Sequence, residues 1–212
     1  AIYLQALQIQ LEQANNGLGS NGLHILIADT TGHLQQMHKA SEVLIQSNGN
    51  LHASLIKWGD GSKSTTVAEL VTSAEQAMAQ GRSTVLITTI QSLRRRFVTN
   101  EDFEVSRKIL KSLIYDEAHH AGAKMAKTIL AELIEHESSK ALLIGTTATP
   151  IHKESEIAAI FGSNVHWFYF NKQNKYEDDL PLSAMLDQLA MAINSGDITP
   201  YQRFYFLNSK NL

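Results

Sequence analysis

Two short stretches of this chain hold residues able to do chemistry. Asp116 and Glu117 stand side by side at the end of the apolar run Leu113-Ile114-Tyr115, with Ala118 and His119 directly after them. A second apolar run begins at Ala141 and leaves through Gly145-Thr146-Thr147-Ala148-Thr149-Pro150. A buried strand ending in adjacent carboxylates suits a nucleotide-bound Mg²⁺. Asp116 would hold the metal through its water shell, and Glu117 would polarise the water that attacks a γ-phosphate. The rival is an acidic pair opening a surface helix, where carboxylates favour the positive end of the dipole. The strand before the pair and the threonine-rich exit of the next strand favour the metal. Pro150 stops that exit from continuing as strand.

Other stretches suit contact with a phosphate backbone. Ala28-Asp29-Thr30-Thr31-Gly32-His33 sits where a strand gives way to a helix, and Thr30 and Thr31 would offer hydroxyls and backbone N–H groups to a nucleic-acid strand. The same residues suit a helix N-cap, and one residue can serve both ends. Thr88-Thr89-Ile90-Gln91-Ser92-Leu93 is a second such exit, with Thr89 and Gln91 as polar contacts. Arg94-Arg95-Arg96 follows it and is the densest positive cluster in the chain. Such a run is ordinarily a solvated face, but its place beside this exit makes Arg94 a candidate phosphate contact, binding without base readout. Gly59-Asp60-Gly61-Ser62-Lys63-Ser64-Thr65 imitates a phosphate loop, yet its glycine spacing is wrong, and it reads as a polar turn. His119 and His120 are too close in sequence for a helical zinc pair. No second acidic cluster lies close to Asp116 and Glu117 in the sequence, which disfavours a two-metal nuclease.

Short apolar runs alternating with helical patterns must position these residues. Helices are expected over Ile2 to Gln13, Leu34 to Gln46, Val67 to Gln80, Lys124 to His136 and Met185 to Asn194. Strands are expected over Leu23 to Ala28, Leu51 to Trp58, Thr84 to Thr89, Ser112 to Tyr115 and Ala141 to Gly145. Val165 to Phe170 reads as a sixth strand whose aromatic run packs or pairs at an edge, and Gln202 to Leu207 as a last extended segment. The pattern implies an α/β fold with a doubly wound, mainly parallel sheet, its ligands at the carboxyl ends of the strands. Every candidate residue falls at such an end.

Composition narrows the classes. The 212 residues are 43% apolar and 18% charged, enough to build a core and too apolar for disorder. The net charge of −3 excludes a broadly basic surface, so any nucleic-acid contact must be a local groove. With no cysteine there is no disulfide framework, which agrees with a cytoplasmic setting. No run approaches the length of a membrane span.

Asp116-Glu117-Ala118-His119 and Thr147-Ala148-Thr149-Pro150 resemble motifs II and III of superfamily-2 helicases of the DEAH-box kind. The longer string Asp116 to Ala123 is most similar to the branch that includes type I and type III restriction motor subunits and nucleotide-excision-repair helicases. The exits at Asp29-Thr30 and at Thr88 to Leu93 resemble motifs Ia and Ib more loosely. The resemblance implies the first RecA-like lobe of an ATP- and Mg²⁺-dependent helicase or translocase, tracking a DNA (or RNA) strand backbone. It implies that His119 links the nucleotide site to motif III, and that Thr147 and Thr149 couple hydrolysis to movement between lobes. It also implies that residues 1–170 form the lobe, and 171–212 an exit segment leading to a second RecA-like lobe. No Gly-Lys-Thr phosphate loop occurs in the chain. The expectation is therefore a longer parent with that loop and its strand just upstream of Ile2, and no ATP turnover by these residues alone. Two other classes stay open: a degenerate lobe that binds nucleic acid or protein without turnover, and a nucleotide-dependent switch that uses no nucleic acid.

Overall fold

The computed structural model describes residues 2–59, 65–135, 141–147, 165–170 and 203–208. Seven strands form one sheet: β1 Leu23–Ala28, β2 Ala53–Lys57, β3 Ser83–Thr89, β4 Leu110–Asp116, β5 Leu142–Thr147, β6 Val165–Phe170 and β7 Arg203–Asn208. They lie in the order β2-β3-β1-β4-β5-β7-β6, and every pairing is parallel. Among the described residues six α-helices accompany them: α1 Ile2–Asn15, α2 Thr31–Ser47, α3 Val67–Ala79, α4 Ile90–Arg96, α5 Asn100–Ile109 and α6 Lys124–Leu130.

Helices cover the sheet on both sides, which explains why the central strands read as unbroken apolar runs rather than alternating ones. β1 and β3 are buried along their whole length. One core holds Tyr3, Leu7 and Leu11 of α1 and Leu34 and Met37 of α2 against Leu26, Ile114 and Ile144. The other holds α3 to α6 residues against Ile25, Ile27, Leu113, Tyr115 and Leu143. Successive residues of a strand thus enter opposite layers, as the pleat requires. This is the doubly wound, RecA-like α/β arrangement the sequence implies.

The expected strands and helices occur with small shifts at their ends. Val165–Phe170 is the edge strand, as its aromatic run suggested, and it pairs with β7. β7 falls in the segment expected as an exit and pairs with β5. The helix expected over Met185 to Asn194 lies outside the described residues.

Two helices were not anticipated. α4 begins within the polar exit at Thr89, and α5 begins at a capping box in which Thr99 accepts from the Asp102 backbone and Asp102 returns to the Thr99 N–H. The single helix expected over Lys124 to His136 instead changes to π form at Ala131–Glu135. Arg107, 5% exposed, donates Nη1 to the Glu132 carbonyl at 2.6 Å, and drawing a carbonyl off the helix ladder favours such a widening. Gly59, two residues past the end of β2, has φ +121°, and an added Cβ there would meet the Ser92 hydroxyl at 2.8 Å, so only glycine fits. Trp58 Nε1 donates to Thr65 Oγ1 at 2.7 Å.

Candidate active site

Parallel pairing brings the candidate residues to one edge of the sheet. Ala28 is in register with Thr89, and Asp116 with Thr146. The carboxyl ends of β1, β3, β4 and β5 therefore lie side by side. Alternation sends Asp116 and Thr146 to the α1–α2 face, because Ile114 and Ile144, two residues earlier, are in that core.

There Asp116 is gripped from two directions. Thr146 Oγ1 donates to Asp116 Oδ1. His33 Nε2, on the first turn of α2, lies 3.1 Å from Asp116 Oδ2, with the carboxylate side chain 16% exposed. Tyr3 of α1 closes the group, its ring edge-on to His33 with centroids 6.2 Å apart. Burial, then the negative Asp116, raises the Tyr3 phenol above its ordinary value. Three elements, α1, α2 and β5, thus converge on one carboxylate.

Glu117 leaves the strand in the left-handed conformation, φ 57° and ψ 49°. It is the one described non-glycine residue with positive φ. Such a residue costs roughly 1–2 kcal/mol relative to ordinary backbone. The cost falls where the chain leaves β4 for the turn over Ala118–His120. Burial first, then the Asp116 charge, raises the Glu117 carboxyl above its usual value, with His33 and His120 acting the other way. A half-buried carboxylate held above its normal pKa is a better proton acceptor, which suits activation of water. A 3₁₀ turn over Ala118–His120 follows, so His119 sits directly beyond the acidic pair. His120 Nε2 approaches Asp29 Oδ1 at 3.9 Å.

The remaining candidates have these places. Thr147 is the last residue of β5, and Thr149 lies outside the described residues. Thr30 is the N-cap of α2, accepting from the His33 N–H at 3.2 Å, so the capping role holds. Its hydroxyl keeps its own proton to donate. Thr31 opens α2 and is exposed. Thr89 caps α4: it is 5% exposed, accepts from the Ser92 N–H at 3.3 Å and donates to Ser92 Oγ at 3.1 Å. Its hydroxyl faces inward and holds the turn that presents exposed Gln91. Arg94 and Arg95 are exposed. Arg96 is not part of that charged face, since it stacks on Trp58 with 4.6 Å to the ring centroid and donates to the Thr65 carbonyl at 2.9 Å.

His33, Tyr3 and Thr146 were given no role from the sequence. Thr146 had a usable signal, because two parallel strands ending together place the residue in register with Asp116 one position before Thr147. His33 and Tyr3 had none, since their approach depends on how α1 and α2 pack. Among the described residues no group of three or more His, Cys, Asp or Glu side chains forms a metal cage, and no helix is long and apolar enough to cross a membrane.

Comparison with protein families matches residues 23–152 to the family described as type III restriction enzyme, res subunit. No curated protein and no solved structure matches the chain. The family match covers more than half of the chain and takes in β1 to β5, with both acidic residues and the threonine exit. The chain belongs to the type III restriction enzyme res-subunit family, a helicase-like family of ATP-dependent enzymes acting on nucleic acid.

Proposed function

We propose that the chain is the first RecA-like lobe of a DEAH-type, ATP-dependent translocase or helicase that moves on nucleic acid, DNA by its family branch. The observation that carries this reading is the pair at the end of β4: Asp116 held by His33 and Thr146, and Glu117 next to it, half-buried with its carboxyl raised. The donor set fits Mg²⁺, which keeps several waters and takes one or two carboxylates beside the nucleotide phosphates rather than a protein cage. Asp116 would hold it through water. When bound, Mg²⁺ supplies charge neutralisation at the β- and γ-phosphates. Glu117 accepts the proton of the attacking water, and His119 with Thr147 and Thr149 relays the state of the site to the strand-binding residues.

Thr30, Thr31, Gln91 and Arg94 would contact the strand backbone, with Thr89 fixing the turn beneath Gln91. Residues 1–170 together with β7 would be the lobe, and the rest of 171–212 would lead towards a second RecA-like lobe. Because the 212 residues contain no Gly-Lys-Thr loop, turnover would require the longer parent. The test is the ATPase rate of that parent with single-stranded DNA, duplex DNA and RNA, using Glu117→Gln as control. Stimulation by one nucleic acid, lost in Glu117→Gln, is the expected result. Turnover indifferent to every nucleic acid would point to a switch instead.

A further inference from the structure

Tyr115 and Asp116 are neighbours in β4, yet they serve opposite faces of the sheet. Asp116 meets His33 on the α1–α2 side, while Tyr115 belongs to the core under α3 to α6. On Tyr115's side, a cavity of about 330 Å³ opens between the ends of β1 and β4 and the helices α4 and α6. Ile90, Tyr115 and Met125 contribute apolar wall, and Asp29, Gln91 and His120 bring polar groups to it. Arg94 Nη1 lies 3.7 Å from Met125 Sδ, which places an exposed guanidinium against the same wall.

We propose that this cavity receives one unstacked nucleobase of the strand whose backbone Gln91 and Arg94 contact. The inference rests on the strand-binding reading above. Its volume is at the small end of ligand pockets, with room for one heterocycle rather than a large cofactor. The chemistry is that of single-strand recognition, in which a base face lies on an apolar or aromatic wall, its edge meets a few polar groups, and a cation takes the adjoining phosphate. Asp29 gives direction to the arrangement. A carboxylate repels phosphate, so it faces the base edge, where it accepts from an amino group. Cytosine, adenine and guanine carry an exocyclic amine, and thymine and uracil do not. The pocket therefore prefers an amino base. Asp116 lies on the other face of β4, while the pocket residues Asp29 and His120 act electrostatically on Glu117 between the two.

The experiment compares binding of the full-length protein to a labelled oligo-dC strand, an oligo-dT strand and an abasic strand of equal length, by fluorescence anisotropy. Oligo-dC is expected to bind about tenfold tighter than the abasic strand, with oligo-dT between them. Ala123→Trp fills the cavity from an exposed lining position and should reduce oligo-dC to the abasic affinity. Asp29→Ala, which removes the carboxylate argued to meet the base amine, should bring oligo-dC down to oligo-dT and keeps the test open if the tryptophan disturbs folding. Equal binding of all three strands to the native protein overturns the pocket and leaves backbone binding intact. A gap that persists in a folded Ala123→Trp protein also overturns it. Failure of the native protein to bind any strand overturns the strand-binding reading, and the pocket with it.

Discussion

Thr146 donates its hydroxyl to Asp116 across the β4–β5 pair, at the position where the two strand ends are in register. The bond joins the threonine exit to the acidic pair without an intermediary, so a shift of β5 along β4 must turn the Asp116 carboxylate. Thr146→Val keeps the β-branched shape that suits a strand and removes only the donor. A hydrogen bond to a charged group contributes roughly 1.5–3 kcal/mol. In the full-length protein we predict a fall of about ten- to a hundredfold in kcat/KM for MgATP with Thr146→Val, and near-native activity with Thr146→Ser. Undiminished activity in Thr146→Val would show that Asp116 is oriented without it.

Glu117 holds a left-handed backbone that glycine adopts freely. Glu117→Gly should therefore raise stability by about 1 kcal/mol, the released strain being partly offset by a more flexible unfolded chain. The same substitution should abolish ATP turnover in the parent. Urea unfolding checks the first half of this prediction and ATPase assays the second. A Glu117→Gly protein less stable than native would mean that the side chain's contacts outweigh the strain.

How much of this site the sequence discloses depends on the range of the interaction. The acidic pair, its strand and the parallel sheet are written locally, in the apolar run ending at Tyr115 and in the alternation of runs and helical patterns. The capping box at Thr66 and Glu69 likewise marks the start of α3. A similar pattern at Thr99 and Asp102 marked α5, but the charged stretch after it hid the helix: apart from its last residue, Phe103 and Val105 are its only large apolar side chains. The π segment at Ala131–Glu135 was illegible, because its cause is the guanidinium of Arg107, distant in sequence. His33 was hidden for the same reason. Its role comes from the angle at which α2 leaves β1, and no residue type encodes that angle alone.

His24 gives the fold a pH dependence of known sign. It is fully buried in β1, with Nδ1 2.8 Å from Ser112 Oγ. Burial, with Lys111 nearby, lowers its pKa from 6.5 to about 4. Between those values the unfolded chain binds a proton that the folded chain refuses. Stability is therefore full above pH 6.5 and is lost as pH falls towards 4, by roughly 3 kcal/mol in all. Glu117 acts in the opposite sense, since its raised carboxyl makes the fold less stable as pH rises through the acid range. His24→Leu in a Glu117→Gln background isolates the histidine, and its urea midpoint should be flat over the window where native His24 slopes. An unchanged slope in His24→Leu would assign the acid sensitivity elsewhere.

Arg94 and Arg96 stand two residues apart in α4 and should separate cleanly. Arg96 lies over Trp58 and ties the Thr65 carbonyl to α4, so Arg96→Ala should lower stability by ~1 kcal/mol and leave strand affinity unchanged. Arg94 is exposed beside Gln91, so Arg94→Ala should leave the unfolding midpoint in place and weaken strand binding. The salt dependence distinguishes a phosphate contact from a general loss of charge. Removing one such contact lowers the slope of log affinity against log salt by about 0.7 on a single strand. We expect that change for Arg94→Ala and none for Arg96→Ala, measured by anisotropy across a salt series at a temperature where both variants are folded. Equal loss of affinity in the two would mean that the helix as a whole, rather than the Arg94 side chain, meets the backbone.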